Sequence, residues 1–209
     1  MKAKFGNLLM ILGAAMILGA IGLLLYNHQE QEQAAQSVDA VMPQLVEAIR
    51  AEKETPDITE SREELSAQIP EEPPREREMT VMEIDGHGYI GFLGIQSLEL
   101  ELPVMADWSY PKLRIAPCRF TGSIYADNLV IMAHNYDRHF GKLRQLKPGD
   151  PVTFTDMEGQ TVLYEVVALD ILGPNAVEDM TAGEFDLTLF TCTYGGKSRV
   201  TVRCDRVEP

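Results

Sequence analysis

The chain has 209 residues, with 32 Asp and Glu against 18 Lys and Arg and a net charge of −14. That length holds one ordinary domain with appendages and is too short for two full catalytic domains. The acidic balance excludes a general nucleic-acid binder, which needs cations to neutralise phosphates. Three cysteines are too few for a disulfide scaffold, and the composition fits neither a collagen, a coiled coil nor a wholly disordered chain.

Charge divides the sequence into three. Residues 1–26 carry only Lys2 and Lys4; residues 27–78 hold 14 acidic and 5 basic side chains; residues 79–209 hold 18 and 11. From Phe5 to Tyr26 there is no charge at all. A helix of that length spans about 33 Å, enough to cross a hydrocarbon core. A cleaved signal peptide would have a shorter apolar run and a small-x-small site, which Leu24-Leu25-Tyr26-Asn27-His28 does not offer. The spacing therefore predicts a retained single-pass anchor over 5–26. Lys2 and Lys4 put residues 1–4 in the cytoplasm and the remainder outside.

Val38, Met42, Leu45 and Ile49 recur at helical spacing, an amphipathic stripe with Pro43 inside it as a candidate kink or restart. The stripe is equally consistent with docking onto the folded domain or a partner and with a marginal stalk helix. Residues 55–78 combine four prolines with dense charge, the composition of a linker, so 27–78 reads as an acidic, partly helical stalk. From Met79 the pattern turns to short β runs: Gly88–Ile95, Leu98–Met105, Leu129–Ala133, Val152–Thr155, Thr161–Leu172, Leu187–Thr191 and Arg199–Val207. Gly and Pro turn signals separate them, and Phe140–Leu146 is the best candidate for a short helical turn. Seven or more short strands in about 130 residues predict a closed or nearly closed β-barrel.

Few side chains in this domain can do covalent chemistry. Cys192 and His134 each end an apolar strand, where a scaffold presents groups to a substrate, and Arg199 opens the strand after the cysteine loop. A thiol becomes nucleophilic beside a base or cation, an imidazole can protonate a leaving amine, and a guanidinium can steady an oxyanion. Taken singly, each has a commoner reading: a buried thiol, a structural histidine, a surface ion pair. Arg203 shares a strand face with Arg199 and is the rival for its role. His139, in a polar loop after Asp137-Arg138, reads as solvated, and His87 as a turn residue. Cys118 and Cys204 either pair as a disulfide or stay free. No tight ligand cluster points to a metal.

Thr188-Leu189-Phe190-Thr191-Cys192, with Arg199 seven residues on, resembles the sortase signature TLxTC followed by a strand-borne Arg. Ala133-His134-Asn135, Phe140-Gly141-Lys142-Leu143 and Leu146-Lys147-Pro148-Gly149-Asp150 are similar to the region of the sortase catalytic His. Gly91-Phe92-Leu93-Gly94-Ile95 and Leu102-Pro103-Val104 are similar to that family's first strands. The resemblance implies an eight-stranded sortase-type barrel over 79–209, all-β dominated with short helices. It implies a membrane-anchored cysteine transpeptidase, class B-like or class D-like, acting without a cofactor. Cys192 would attack the Thr–Gly carbonyl of an LPxTG-like sorting signal on a surface protein, and His134 would protonate the departing amine. Arg199 would stabilise the oxyanion, and Thr191 and Leu189 would line the substrate groove. An amine of a cell-wall precursor or a pilin would resolve the thioester. A hydrolytic cysteine peptidase and a non-catalytic surface assembly module are the alternatives.

Overall fold

A computed structural model of the chain describes residues 2–54, 77–182 and 184–207. The linker expected over 55–78 lies outside the described residues except for Arg77 and Glu78. One helix, α1 (Lys2–Glu54), takes up the first segment without interruption. Of the kink or restart anticipated at Pro43, the restart is absent: the helix runs through it, although proline removes one ladder hydrogen bond, and the Gln44 side chain donates to the Ala40 carbonyl nearby (3.2 Å). From Leu9 to Gln29 every described side chain is exposed, on a stretch long and apolar enough to cross a membrane. Beyond it Ala34, Ala35, Val38, Val41, Leu45 and Ile49 are buried. From Ala35 on, their steps of three and four residues are those of one helical face, and Ala34 lies one turn before Val38 on it.

Nine strands follow: β1 (Met82–Ile84), β2 (His87–Ile95), β3 (Leu100–Met105), β4 (Cys118–Thr121), β5 (Leu129–Ala133), β6 (Pro151–Asp156), β7 (Thr161–Leu172), β8 (Leu187–Cys192) and β9 (Arg199–Arg206). Their order is β1-β2-β3-β4-β5-β8-β9-β7-β6, and β6 pairs back onto β2, so eight strands close into a barrel with β1 as a hairpin arm on β2. The two shortest strands, β1 and β4, escaped the sequence reading because three or four residues show no alternation to detect. Two short helices, α2 (Tyr110–Leu113) and α3 (Val177–Thr181), lie outside the barrel. The turn expected over 140–146 is a single 3-10 turn at Leu143–Gln145.

Apolar side chains occupy two layers. Leu93, Leu102, Ile131, Phe154, Leu189 and Val202 belong to the barrel interior. Val41, Leu45 and Ile49 of α1 cover Ile84, Tyr89, Met105, Cys118 and Met157 on its outside. Cys204 belongs to the first layer and Cys118 to the second, and both are free and buried; a disulfide between them is not formed. Burial pushes both thiols up to about 12, which makes them inert hydrophobes.

Gly91 sits where the barrel closes. It pairs with both Val104 of β3 and Asp156 of β6, beside a bulge in β2. Its φ is +141°, and a Cβ there would lie 2.0 Å from the Thr155 carbonyl oxygen. Gly91→Ala is therefore expected to lower unfolding stability by at least about 2 kcal/mol, from backbone strain plus overlap with a neighbouring strand. Gly173→Ala, where a Cβ meets nothing within 4 Å, is expected to change it by less than about 0.5 kcal/mol; denaturant titration of both variants checks the pair.

Candidate active site

Strands β5 and β8 are parallel and in register, Leu129 opposite Leu187 through to Ala133 opposite Thr191. Both strands end at that last pair or one residue past it, so His134 and Cys192 emerge side by side at one rim. Strand β9 runs antiparallel to β8 and pairs Arg199 with Cys192. Three groups that are distant in sequence thus sit at the ends of three neighbouring strands.

Side-chain alternation decides which face they share. Leu129, Ile131 and Ala133, Leu187 and Leu189, and Val200 and Val202 all belong to the interior cluster. The intervening residues face outward, and Val130 and Phe190 form a separate outer cluster. Continuing the alternation places His134, Cys192 and Arg199 together on the outer face of the rim. The same rule turns Leu189 and Thr191 away from it. Leu189 is fully buried in the barrel, and the Thr191 hydroxyl donates to the Ala133 carbonyl (2.8 Å). The groove contacts expected of these two are instead positions beneath the rim, where they tie β8 to β5.

The two arginines separate clearly. Arg203 is 4% exposed. Its guanidinium donates to the carbonyls of Met180 (3.2 Å) and Asp179 and to the Thr188 hydroxyl (3.1 Å), and pairs with Asp170 (3.5 Å). It is committed to holding α3 on the barrel. Arg199 is half-buried and, among the described residues, donates to the Gly196 and Ser198 carbonyls (3.1 and 3.2 Å) of its own loop, which leaves it beside Cys192. That loop is tight: Thr193 N–H donates to the Ser198 carbonyl (2.9 Å), and Ser198 N–H to the Thr193 hydroxyl (3.1 Å).

The His134 loop is closed by its own backbone. Phe140 N–H donates to the His134 carbonyl (3.1 Å), and His139 and Gly141 N–H donate to the Tyr136 carbonyl (2.9 Å each). Gly141 is required by this packing, since a Cβ would come within 2.7 Å of the Asn135 carbonyl oxygen. The Tyr136 ring lies 4.9 Å from that of His134. His139, read from sequence as solvated, is fully buried behind Tyr136; polar neighbours in sequence do not reveal that the loop folds it inward. Burial, with His134 nearby, holds its pKa down at about 4.

His134 is itself held below the usual histidine range, first by partial burial and then by the Arg114 guanidinium, with the Glu30 carboxylate opposing them. A neutral imidazole is favoured at neutral pH. Arg114 follows α2, and Glu30 belongs to α1; the two are 3.8 Å apart. Neither was visible as a site residue in the sequence, because no motif links a stalk helix to a strand end. Beside Cys192 on the outer face, Phe190 meets Phe120 edge-on (5.5 Å), and Phe120 stacks on Trp108 (5.8 Å), an apolar row leading away from the thiol. Alternation along LTLFTC could have located Phe190; Phe120 and Trp108 come from segments whose pairing sequence does not specify. Among the described residues no group of three His, Cys, Asp or Glu could hold a metal. The arrangement can present a thiol, a neutral imidazole and a fixed cation to an extended peptide on the outer face.

A sequence model described as the Sortase domain matches residues 93–207, more than half of the chain. The barrel is similar to sortase C1 from Streptococcus suis, at 27% identity over 59% of this chain and 75% of that one, with a TM-score of 0.51. It is also similar to a Clostridium perfringens sortase D5 transpeptidase (16% identity, 85% and 99% covered, TM-score 0.57). A third likeness is to Streptococcus pneumoniae sortase C (20% identity, 81% and 97% covered, TM-score 0.55). No curated protein matches.

Arg203→Ala is expected to destabilise the fold by about 2–4 kcal/mol, because it leaves buried carbonyls without donors. Arg199→Ala is expected to change stability by less than about 0.5 kcal/mol, measured side by side in urea. The buried histidine gives a pH dependence with a definite sign. An unfolded chain takes up a proton at His139 near pH 6.5, whereas the folded chain does so at about 4. Stability therefore falls as pH drops through that window, by up to roughly 1.4 kcal/mol per unit. His139→Phe is expected to flatten this slope, leaving the smaller share due to His134.

Proposed function

Because this chain belongs to the sortase family of cysteine transpeptidases, we propose that it cleaves an LPxTG-like sorting signal and transfers the acyl portion that ends in the Thr carbonyl to an amine of the cell wall. Cys192 is the nucleophile, His134 the proton carrier and Arg199 the oxyanion partner. What supports the reading is that the register of β5, β8 and β9 sets these three, and no other cysteine, at one rim.

The neutral state favoured for His134 fits the proton accounting. The thiol proton passes to the imidazole as the sulfur attacks the Thr–Gly carbonyl carbon, and a tetrahedral oxyanion forms beside Arg199. Collapse breaks the C–N bond, the imidazolium gives its proton to the departing amine, and a thioester on Cys192 remains. The incoming amine then attacks the thioester, loses its proton to His134, and the sulfur departs as thiol. Apolar residues of the signal pack along Phe190, Phe120 and Trp108, while Leu189 and Thr191 support the rim from below. The helix of residues 5–26 anchors the enzyme in the cell membrane with the barrel outside.

The test is incubation of the full chain with LPxTG-type peptides and an amine, followed by mass spectrometry. A peptidyl adduct on Cys192 and an amine-transfer product are expected. Cys192→Ala should lose activity by about a thousandfold or more, with the fold intact by circular dichroism. Free acid with no transfer product would make the protein a peptidase instead, and turnover surviving in Cys192→Ala would overturn the assignment.

A further inference from the structure

We propose that Tyr136 is a positioning residue for His134: its ring fixes the imidazole by face contact, the task that a carboxylate performs for the base of a hydrogen-bonded triad. This deepens the sortase reading above and rests on it.

The need for such a residue comes from where His134 stands, one residue past the end of β5. Its backbone is fixed, since its carbonyl accepts from Phe140 N–H (3.1 Å), but its side chain keeps its own torsions. Burial and the charges of Arg114 and Glu30 act on the ring, and among the described residues no hydrogen bond does. A base that takes a proton from one atom and gives it to another needs a third group to orient it. The ring in contact with His134 is that of Tyr136, with centroids 4.9 Å apart and planes inclined by 31°. An aromatic face orients the imidazole without occupying either nitrogen, so one can meet the thiol while the other stays open. The same face lies within the distance at which a π system favours a cation. His134 becomes a cation only once the sulfur has given up its proton, so the contact strengthens during the reaction.

Tyr136 is itself held firmly. Its carbonyl accepts from His139 and Gly141 N–H (2.9 Å each), and a Cβ on Gly141 would come within 2.8 Å of that oxygen. Phe140 and Leu143, fully buried in the barrel cluster, pin the same loop. The buried His139 ring lies against that of Tyr136 at 5.5 Å. Burial and then the Glu30 carboxylate push the Tyr136 hydroxyl up from its ordinary pKa, with Arg114 opposing, so the stalk carboxylate lies within electrostatic reach of the hydroxyl end. The result is a fixed, half-buried ring touching an imidazole that little else orients.

Kinetics of the full chain in detergent micelles, with an LPxTG-type peptide and an amine, separate the ring from its hydroxyl. Tyr136→Phe keeps the face and is expected to hold kcat within about threefold. Tyr136→Leu keeps bulk but no face. Its kcat should fall roughly tenfold to a hundredfold, as for a misplaced catalytic group, with KM for the peptide within about twofold. Three results overturn the proposal: a loss in Tyr136→Phe as large as in Tyr136→Leu, a loss carried by KM, or a Tyr136→Leu enzyme whose kcat stays within about twofold of the native value. Proton NMR supplies a second readout that needs no turnover. The carbon-bound ring protons of His134, identified by their loss in His134→Ala, should be shifted upfield by the Tyr136 ring current. That shift should persist in Tyr136→Phe and vanish in Tyr136→Leu; its absence from the native chain also overturns the proposal. Should the native chain leave the peptide untouched, the sortase substrate reading falls, and the NMR comparison still decides whether Tyr136 holds the imidazole.

Discussion

Everything at the candidate site depends on the register of one parallel strand pair. Parallel strands cannot be joined by a hairpin, so the chain leaves the rim after β5, builds β6 and β7, and returns to lay β8 beside it. Because the two strands run the same way, their C-terminal ends coincide, and Ala133 opposite Thr191 delivers His134 next to Cys192. Antiparallel β9 then contributes its first residue, Arg199, to the same edge. A slip of one residue in either pairing would turn the thiol into the core and Thr191 outward. What prevents the slip is the interior itself: Ile131, Leu189 and Val202 are all fully buried, and a slip of β8 would move Leu189 to the surface and Thr188 and Phe190 into the core.

The same two-residue period assigns the remaining work. Inward positions fill the barrel; outward positions near the rim carry His134, Cys192, Arg199 and the Phe190–Phe120–Trp108 row. Further along the outer face of β9, Arg203 joins the structural side. Its guanidinium is surrounded by the carbonyls of α3, so two arginines four residues apart have different surroundings. One is buried and saturated with acceptors; the other is half-buried and held loosely by a loop. The site also departs from a simple pair of neutral partners, because Arg114 and Glu30 bring opposite charges to the vicinity of His134. Their effects partly cancel there, and burial decides the direction.

Sequence reading reached the long strands because each offered enough residues for alternation to show: Thr161–Leu172 coincides with β7. It singled out Cys192, His134 and Arg199 through a motif, and the barrel register brings these three residues to the ends of neighbouring strands. It misjudged what depends on chain returning from far away. Leu189 and Thr191 lie inside the signature yet face the interior, since a motif records identity and not orientation. His139 sits among charged neighbours yet is buried, because the loop folds back on the Tyr136 carbonyl. Arg114 and Glu30 carry no pattern at all; only the docking of α1 brings them to His134.

That docking changes what the N-terminal segment is. A barrel with a filled interior would be expected to show water a polar exterior, yet Ile84, Tyr89, Met105, Leu113 and Met157 form a second apolar layer outside it. Val41, Leu45 and Ile49 cover that layer, each such side chain contributing about 1.5–3 kcal/mol of burial relative to exposure. The cost of ordering the helix is reduced because the segment is already a continuation of a long apolar helix, so no new nucleus is needed. The stripe Val38, Met42, Leu45, Ile49 is therefore a structural face of the catalytic domain. A leash between anchor and barrel would need no such face, and would leave the outer layer of β1, β2 and β3 exposed as a patch of the kind that drives association.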